Sequence, residues 1–163
     1  MTRALLLGLG VLLLAPVLAH ADVQVAKQID FKIDGGKEVS AAIRDGCKLQ
    51  SRVPEYLAAY SKQVRLVDRP SGAGRILELH ISEVHAPGGG AFSGPKWMSV
   101  RGTLRDNGAV IGTFRAKRIS SGGAFGQFKG TCSIIARSAK VIGRDIAGWL
   151  EAPTKDAKLG NAK

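Results

Sequence analysis

Residues 96–119 read KWMSVRGTLRDNGAVIGTFRAKRI, and this stretch decides the fold. Asp106–Asn107–Gly108 is the strongest turn signal in the chain, an Asn-Gly step between two alternating runs. Before it, Met98, Val100 and Leu104 fall on one face at period two. After it, Val110, Gly112, Phe114 and Ala116 do the same. The alternation predicts a hairpin with one dry and one wet face. Arg75 to Val84 repeats the pattern through Leu77, Leu79 and Ile81. Three consecutive strands of this kind predict an up-down-up antiparallel meander.

Around the meander, residues 23–33 read as a strand, with Val23, Val25, Ile29, Phe31 and Ile33 on one face and Asp34–Gly35–Gly36 ending it. Leu49, Val53, Tyr56, Leu57 and Tyr60 recur at helical spacing. A turn at Asp45–Cys47 and a helix from about Arg52 would place Pro54 in the first helical turn. Val64 to Val67 is a short strand. Ser133 to Leu150 is the clearest helix, striped by Ile135, Ala139, Ile142, Ile146 and Trp149, and Cys132 extends the stripe toward its start. The expectation is an α+β two-layer sandwich. Its sheet is mainly antiparallel, its element order β-α-β-β-β-β-α, and its two helices lie on one face with the other face wet.

The chain opens with one cation at Arg3, an apolar run from Leu5 to Leu18, and Ala19–His20–Ala21 before Asp22. That is the three-part layout of a cleavable secretory leader, too short for a membrane span and without a stop-transfer flank. The domains expected are a signal peptide over 1–21, one α+β domain over 22–150, and a disordered basic tail over 151–163. The position just after the cleavage point, where a lipid-bearing cysteine would stand, is Asp22. A soluble periplasmic protein without a transmembrane span is expected, with full secretion left open by the leader alone. The leader holds Arg3 and no acid, so the formal charge of +11 becomes +10 once it leaves. Such a charge favours anionic partners: lipid, lipopolysaccharide or an acidic envelope protein. Export argues against nucleic acid.

Two cysteines, Cys47 and Cys132, remain in the mature chain. An even count in an oxidising compartment predicts one disulfide. The chain-entropy model assigns a loop of this length about 4–5 kcal/mol. With only His80 and His85 beside them, the cysteines make a poor zinc set, and no Cys-x-x-Cys occurs.

Two surfaces are candidates for binding. Gly-Gly-Ala-Phe occurs twice, at Gly89–Phe92 and Gly122–Phe125. In a meander both loops leave the same end of the sheet. Glycine amides approach ligands closely and concave groups of them bind anions. Gly89, Gly90, Phe92, Gly122, Gly123, Phe125, Phe128 and Lys129 are the candidate residues. The plain alternative is two flexible loops, each anchored by a phenylalanine. The second surface is the wet face of the sheet, where Trp97, Arg101, Arg115 and Lys117 project and Glu78 and His80 lie on the strand before. Solvated arginines are its ordinary explanation.

No catalytic set emerges. His80 and His85 fall on opposite faces of a regular strand, which argues against shared metal binding. Neither sits in a nucleophile–base context. No cofactor is implied.

The segments Gly46–Cys47–Lys48–Leu49, Gly122–Gly123–Ala124–Phe125–Gly126, Gly130–Thr131–Cys132–Ser133 and Asp145–Ile146–Ala147–Gly148–Trp149–Leu150 resemble an uncharacterised family of small Gram-negative envelope proteins. Related families include accessory lipoproteins with compact α+β domains. The resemblance covers most of the mature chain and implies fold and location. It brings no catalytic residue, and this chain lacks the lipoprotein cysteine. The function expected is a non-enzymatic periplasmic binding or accessory module for an anionic envelope component or envelope protein. A structural subunit docking through a sheet edge is the alternative. The sequence leaves the oligomeric state open.

Overall fold

The hairpin forms as its alternation requires. In the computed structural model, which describes residues 22–36, 38–121 and 128–163, β5 (Lys96–Asp106) turns through Asn107 and Gly108 into β6 (Ala109–Ser120). Asp106 pairs with Ala109, leaving a two-residue loop. Asn107 and Gly108 both have positive φ, at 48° and 86°, as a type I′ turn demands. β4 (Arg75–His85) pairs antiparallel with β5 on the other side. The leader region and Gly122, Gly123 and Phe125 of the second loop lie outside the described residues.

Two parallel crossover units flank this meander. β1 (Val23–Ala26) is followed by α1 (Ala41–Gly46), α2 (Leu49–Tyr60) and β3 (Val64–Val67), which lies parallel beside β1. β6 is followed by α3 (Thr131–Glu151) and β7 (Ala157–Gly160), parallel beside β6. Parallel neighbours need a long connection, and a helix supplies it in each case. The sheet order is β3-β1-β4-β5-β6-β7, with the two-residue β2 (Asp30–Phe31) also pairing β4. The two long ladders are antiparallel and the short ones parallel. The result is an α+β two-layer sandwich.

β7 corrects the expectation of a disordered tail. Pro153 follows the end of α3, and Thr154 O then accepts the Thr113 amide. Ala157 and Leu159 alternate toward the core, a period-two signal too short to stand out in a lysine-rich segment.

The core lies between the sheet and the helices. Leu77, Ile81, Met98, Val100, Leu104, Phe114 and Ala116 meet Leu49, Val53 and Leu57 of α2 and the predicted α3 stripe in one buried cluster. A bulge alters one inward position: Leu104 pairs with Gly112 but Arg105 with Val110. Ile111 is the extra residue, and it packs on the core where Val110 was expected to.

The first helical region also differs from expectation. It begins earlier and breaks at Lys48, whose φ is +51°. Pro54 sits inside α2 rather than in its first turn. It has no amide to give the Gln50 carbonyl, and the Ile29 amide donates to that carbonyl at 3.2 Å. The predicted 23–33 strand is interrupted after Ala26, and this contact lies in the gap before β2.

Cys47 and Cys132 are bonded, with Cα atoms 4.8 Å apart. The bridge ties the α1–α2 junction to the first turn of α3. Farther along, Arg118 donates to both Asp145 oxygens at 2.6 and 2.8 Å, fixing α3 to β6. Asp145 raises the Arg118 pKa further, against the opposing effect of burial.

Candidate functional site

The wet sheet face is built around a carboxylate that regular alternation would point inward. Ile81 pairs with Val100 but Glu83 with Ser99, so Ser82 is an extra residue. The bulge returns Glu83 to the outer face. Its Oε1 accepts from Trp97 Nε1 at 2.7 Å and Lys117 Nζ at 3.1 Å. Its Oε2 accepts from Ser99 Oγ at 2.9 Å, Lys117 Nζ at 3.0 Å and Arg115 Nη2 at 3.4 Å. Burial alone would raise the Glu83 pKa. Hydrogen bonds from Lys117, Trp97 and Ser99, with the Lys117 charge, outweigh it and lower the pKa from 4.5 to about 2.

The same bulge corrects the placement of the histidines. His80 pairs with Arg101 and His85 with Trp97, so both lie on the outer face. His85 stacks on Trp97 at 3.7 Å and 12°, and Lys117 Nζ lies 5.5 Å from the Trp97 ring centre, within cation–π range. Burial, then the Lys32 and Arg101 cations, lower the His80 pKa, with Asp34 opposing. Among the described residues no group of three His, Cys, Asp or Glu is placed to hold a metal.

Trp97, Arg101, Arg115 and Lys117, the predicted basic face, are thus brought together. A cavity of about 410 Å³ lies beside Glu83, His85 and Trp97. Another of about 350 Å³ is lined by His80, Arg101, Arg115, Asp156 and Lys158. Arg101 is paired with Asp34 at 2.8 Å, and Arg115 with Glu83. Glu83 and Lys158 escaped the candidate residues. A change of phase in the apolar pattern, from Leu77, Leu79 and Ile81 to Val84, is the signal that reveals the bulge.

The first glycine loop and the described end of the second, from Phe128, meet each other. Gly90 has φ +59°, and a Cβ there would lie 2.6 Å from the Lys129 carbonyl. Its amide donates to Thr131 Oγ1 at 3.3 Å, and that hydroxyl donates to Pro87 O at 3.0 Å. The first loop therefore docks on the described end of the second. Phe92 is 85% exposed, so it does not anchor the first loop as the plain alternative supposed; Phe128 is 81% exposed, and Phe125, the matching residue of the second loop, lies outside the described residues. Lys96 anchors the first loop instead. It is fully buried and donates to Ser93 Oγ and Gly94 O, both at 2.8 Å.

Among solved structures, the chain is similar to an uncharacterized protein at TM-score 0.52 and 13% identity, covering 80% of this chain and 92% of that one. That likeness is one of fold. The PelC dodecamer from Paraburkholderia phytofirmans aligns at TM-score 0.45 and 20% identity, over 79% of this chain and 91% of that one. A minor lipoprotein from Acinetobacter baumannii aligns at 0.35 and 18%, over 77% and 92%. The chain matches no family model and no curated protein.

Proposed function

We propose that this protein is an exported, non-enzymatic accessory module of the envelope that binds an anionic component through its uncovered sheet face. The observation that carries the reading is that Arg101 pairs with Arg115, and Lys117 lies over Trp97, on the face opposite the helices. Export rests on the leader and accords with the Cys47–Cys132 bridge. Among the described residues no helix is long and apolar enough to cross a membrane. A carboxylate held near 2 is a poor proton acceptor at neutral pH, so Glu83 serves to order the cations rather than to move protons. The sheet-edge alternative is weaker. The edge strands β3 and β7 are four residues each, and short edges blunt strand addition.

The test is native purification from the host envelope, followed by salt elution and identification of what elutes. Anionic lipid, lipopolysaccharide or an acidic protein released by salt is expected. An Arg101→Glu/Arg115→Glu/Lys117→Glu variant should recover none of it. A salt-resistant protein complex retained by that variant would replace this reading with the sheet-edge one.

A further inference from the structure

One row of residues runs across the exposed face at a single register. Asp30 pairs with His80, His80 with Arg101, Arg101 with Arg115, and Arg115 with Lys158. Paired residues share a face and adjacent strands lie about 4.8 Å apart. Three cations therefore stand consecutively on β5, β6 and β7, with the only acid of the row at its far end. Like charges directly opposite one another destabilise a sheet, so the row is an arrangement that folding alone disfavours.

The nearby carboxylates neutralise it only in part. Asp34 and Glu83 each engage a single nitrogen, Nη2, of Arg101 and Arg115. Glu83 is shared with Lys117 as well. The Nε atoms of both arginines are buried without an acceptor among the described residues. Asp156, also beside the cavity, is held by Thr113: it accepts from Thr113 Oγ1 at 3.1 Å and its amide donates back at 2.7 Å; it keeps its negative charge, so the lining sets one carboxylate beside the row's three cations. Lys158 is exposed, and Arg101, Arg115 and this lysine all line the 350 Å³ cavity.

Guanidinium pairs suit a tetrahedral oxyanion, because planar donor forks match two oxygens at once while an ammonium adds a point charge. We propose that Arg101, Arg115 and Lys158 form a binding site for a phosphate-type oxyanion, taken as free phosphate or as the phosphodiester of a lipid headgroup. The site rests on the basic-face reading above and gives it a ligand chemistry. β7 completes it, so the C-terminal segment is part of the site.

The experiment titrates the purified protein with inorganic phosphate by calorimetry at fixed ionic strength. A second arm measures co-sedimentation with phosphatidylglycerol vesicles against phosphatidylcholine vesicles. Saturable binding of phosphate, of phosphatidylglycerol vesicles, or of both is expected. Binding to vesicles alone assigns the lipid source. Arg101→Gln/Arg115→Gln should weaken binding at least tenfold and Lys158→Gln several-fold. Lys140→Gln, which removes an equal charge from an exposed position of α3, should change nothing. Among the described residues the Lys158 side chain has no hydrogen bond or ion pair to lose, and the substitution keeps its ladder bonds, so this variant remains informative if the double variant misfolds. Equal losses for Lys158→Gln and Lys140→Gln would overturn the site. Vesicle binding that survives the double variant but is lost in Lys117→Gln would overturn it while leaving the wider basic-face reading standing. No binding of either probe by the unaltered protein would also overturn it, and the salt-elution experiment then decides the wider reading separately.

Discussion

Trp97 Nε1 donates a 2.7 Å hydrogen bond to Glu83 Oε1, joining β5 to the bulged end of β4 on the exposed face. Trp97 is in turn stacked by His85 and overlain by Lys117. One carboxylate thus sets the positions of an indole, a hydroxyl and two cations, and its charge state controls them all.

That control gives a pH prediction. The Glu83 pKa is lower in the folded protein, about 2 against 4.5. The unfolded chain therefore binds the proton more readily. The stabilisation is fully present above 4.5 and is lost as pH falls toward 2. Its ceiling is about 3 kcal/mol from the size of the shift, and solvent screening at a side chain 31% exposed lowers it. Glu83→Gln should destabilise the protein at pH 7 and converge with the parent in acid. Urea unfolding of both proteins from pH 7 to 2 checks this. A constant difference across that range would show that the charge is not the cause.

The 85-residue loop closed by Cys47 and Cys132 restrains the unfolded chain. Thiol labelling of the exported protein under denaturing, non-reducing conditions should find no free thiol. Cys47→Ser/Cys132→Ser should cost about 2–5 kcal/mol. Two labelled cysteines in the exported protein would refute the bridge.

Gly143 and Gly148 lie on the same helix and should respond with opposite sign to alanine. A Cβ at Gly143 would lie 2.8 Å from Tyr56 Cβ and 2.9 Å from the Leu57 backbone nitrogen. Those atoms belong to the body of α2 and cannot swing aside. Overpacking of about 1–3 kcal/mol then exceeds the helix-propensity gain of about 1 kcal/mol. Gly148 meets nothing within 4 Å, so there only the gain remains. Gly143→Ala should lower the unfolding midpoint and Gly148→Ala raise it. A rise in both would mean that the helices separate freely.

The meander, the α3 stripe and the disulfide were legible because each is written in local period or in count. Strand order was not. Alternation along β1 and β3 names the buried face but not the neighbour, and parallel pairing through α2 leaves no local mark. The basic face was legible from the outward positions of β5 and β6. Its organising residue was hidden by the Ser82 bulge, because one inserted residue reverses every inference about which side chain faces out. Lys158 was hidden by composition: a lysine-rich segment ending the chain reads as solvated, and only the Ala157/Leu159 alternation says otherwise.

That alternation yields the last prediction. Ending the chain after Pro153 removes β7 and leaves the β6 edge unpaired. It also removes the Thr154 carbonyl that accepts the Thr113 amide at 3.1 Å. Ala157 and Leu159 are partly buried against the core, and uncovering that surface, with the ladder bonds, should cost about 1–3 kcal/mol. The denaturant midpoint should fall while the α3 helix signal in circular dichroism persists, since Arg118–Asp145 and the disulfide still hold α3 in place. A disordered tail would make the truncation neutral, so an unchanged midpoint refutes the strand. Leu159→Ser in the full chain separates packing from pairing. It keeps the β7 backbone bonds and should recover only part of the loss.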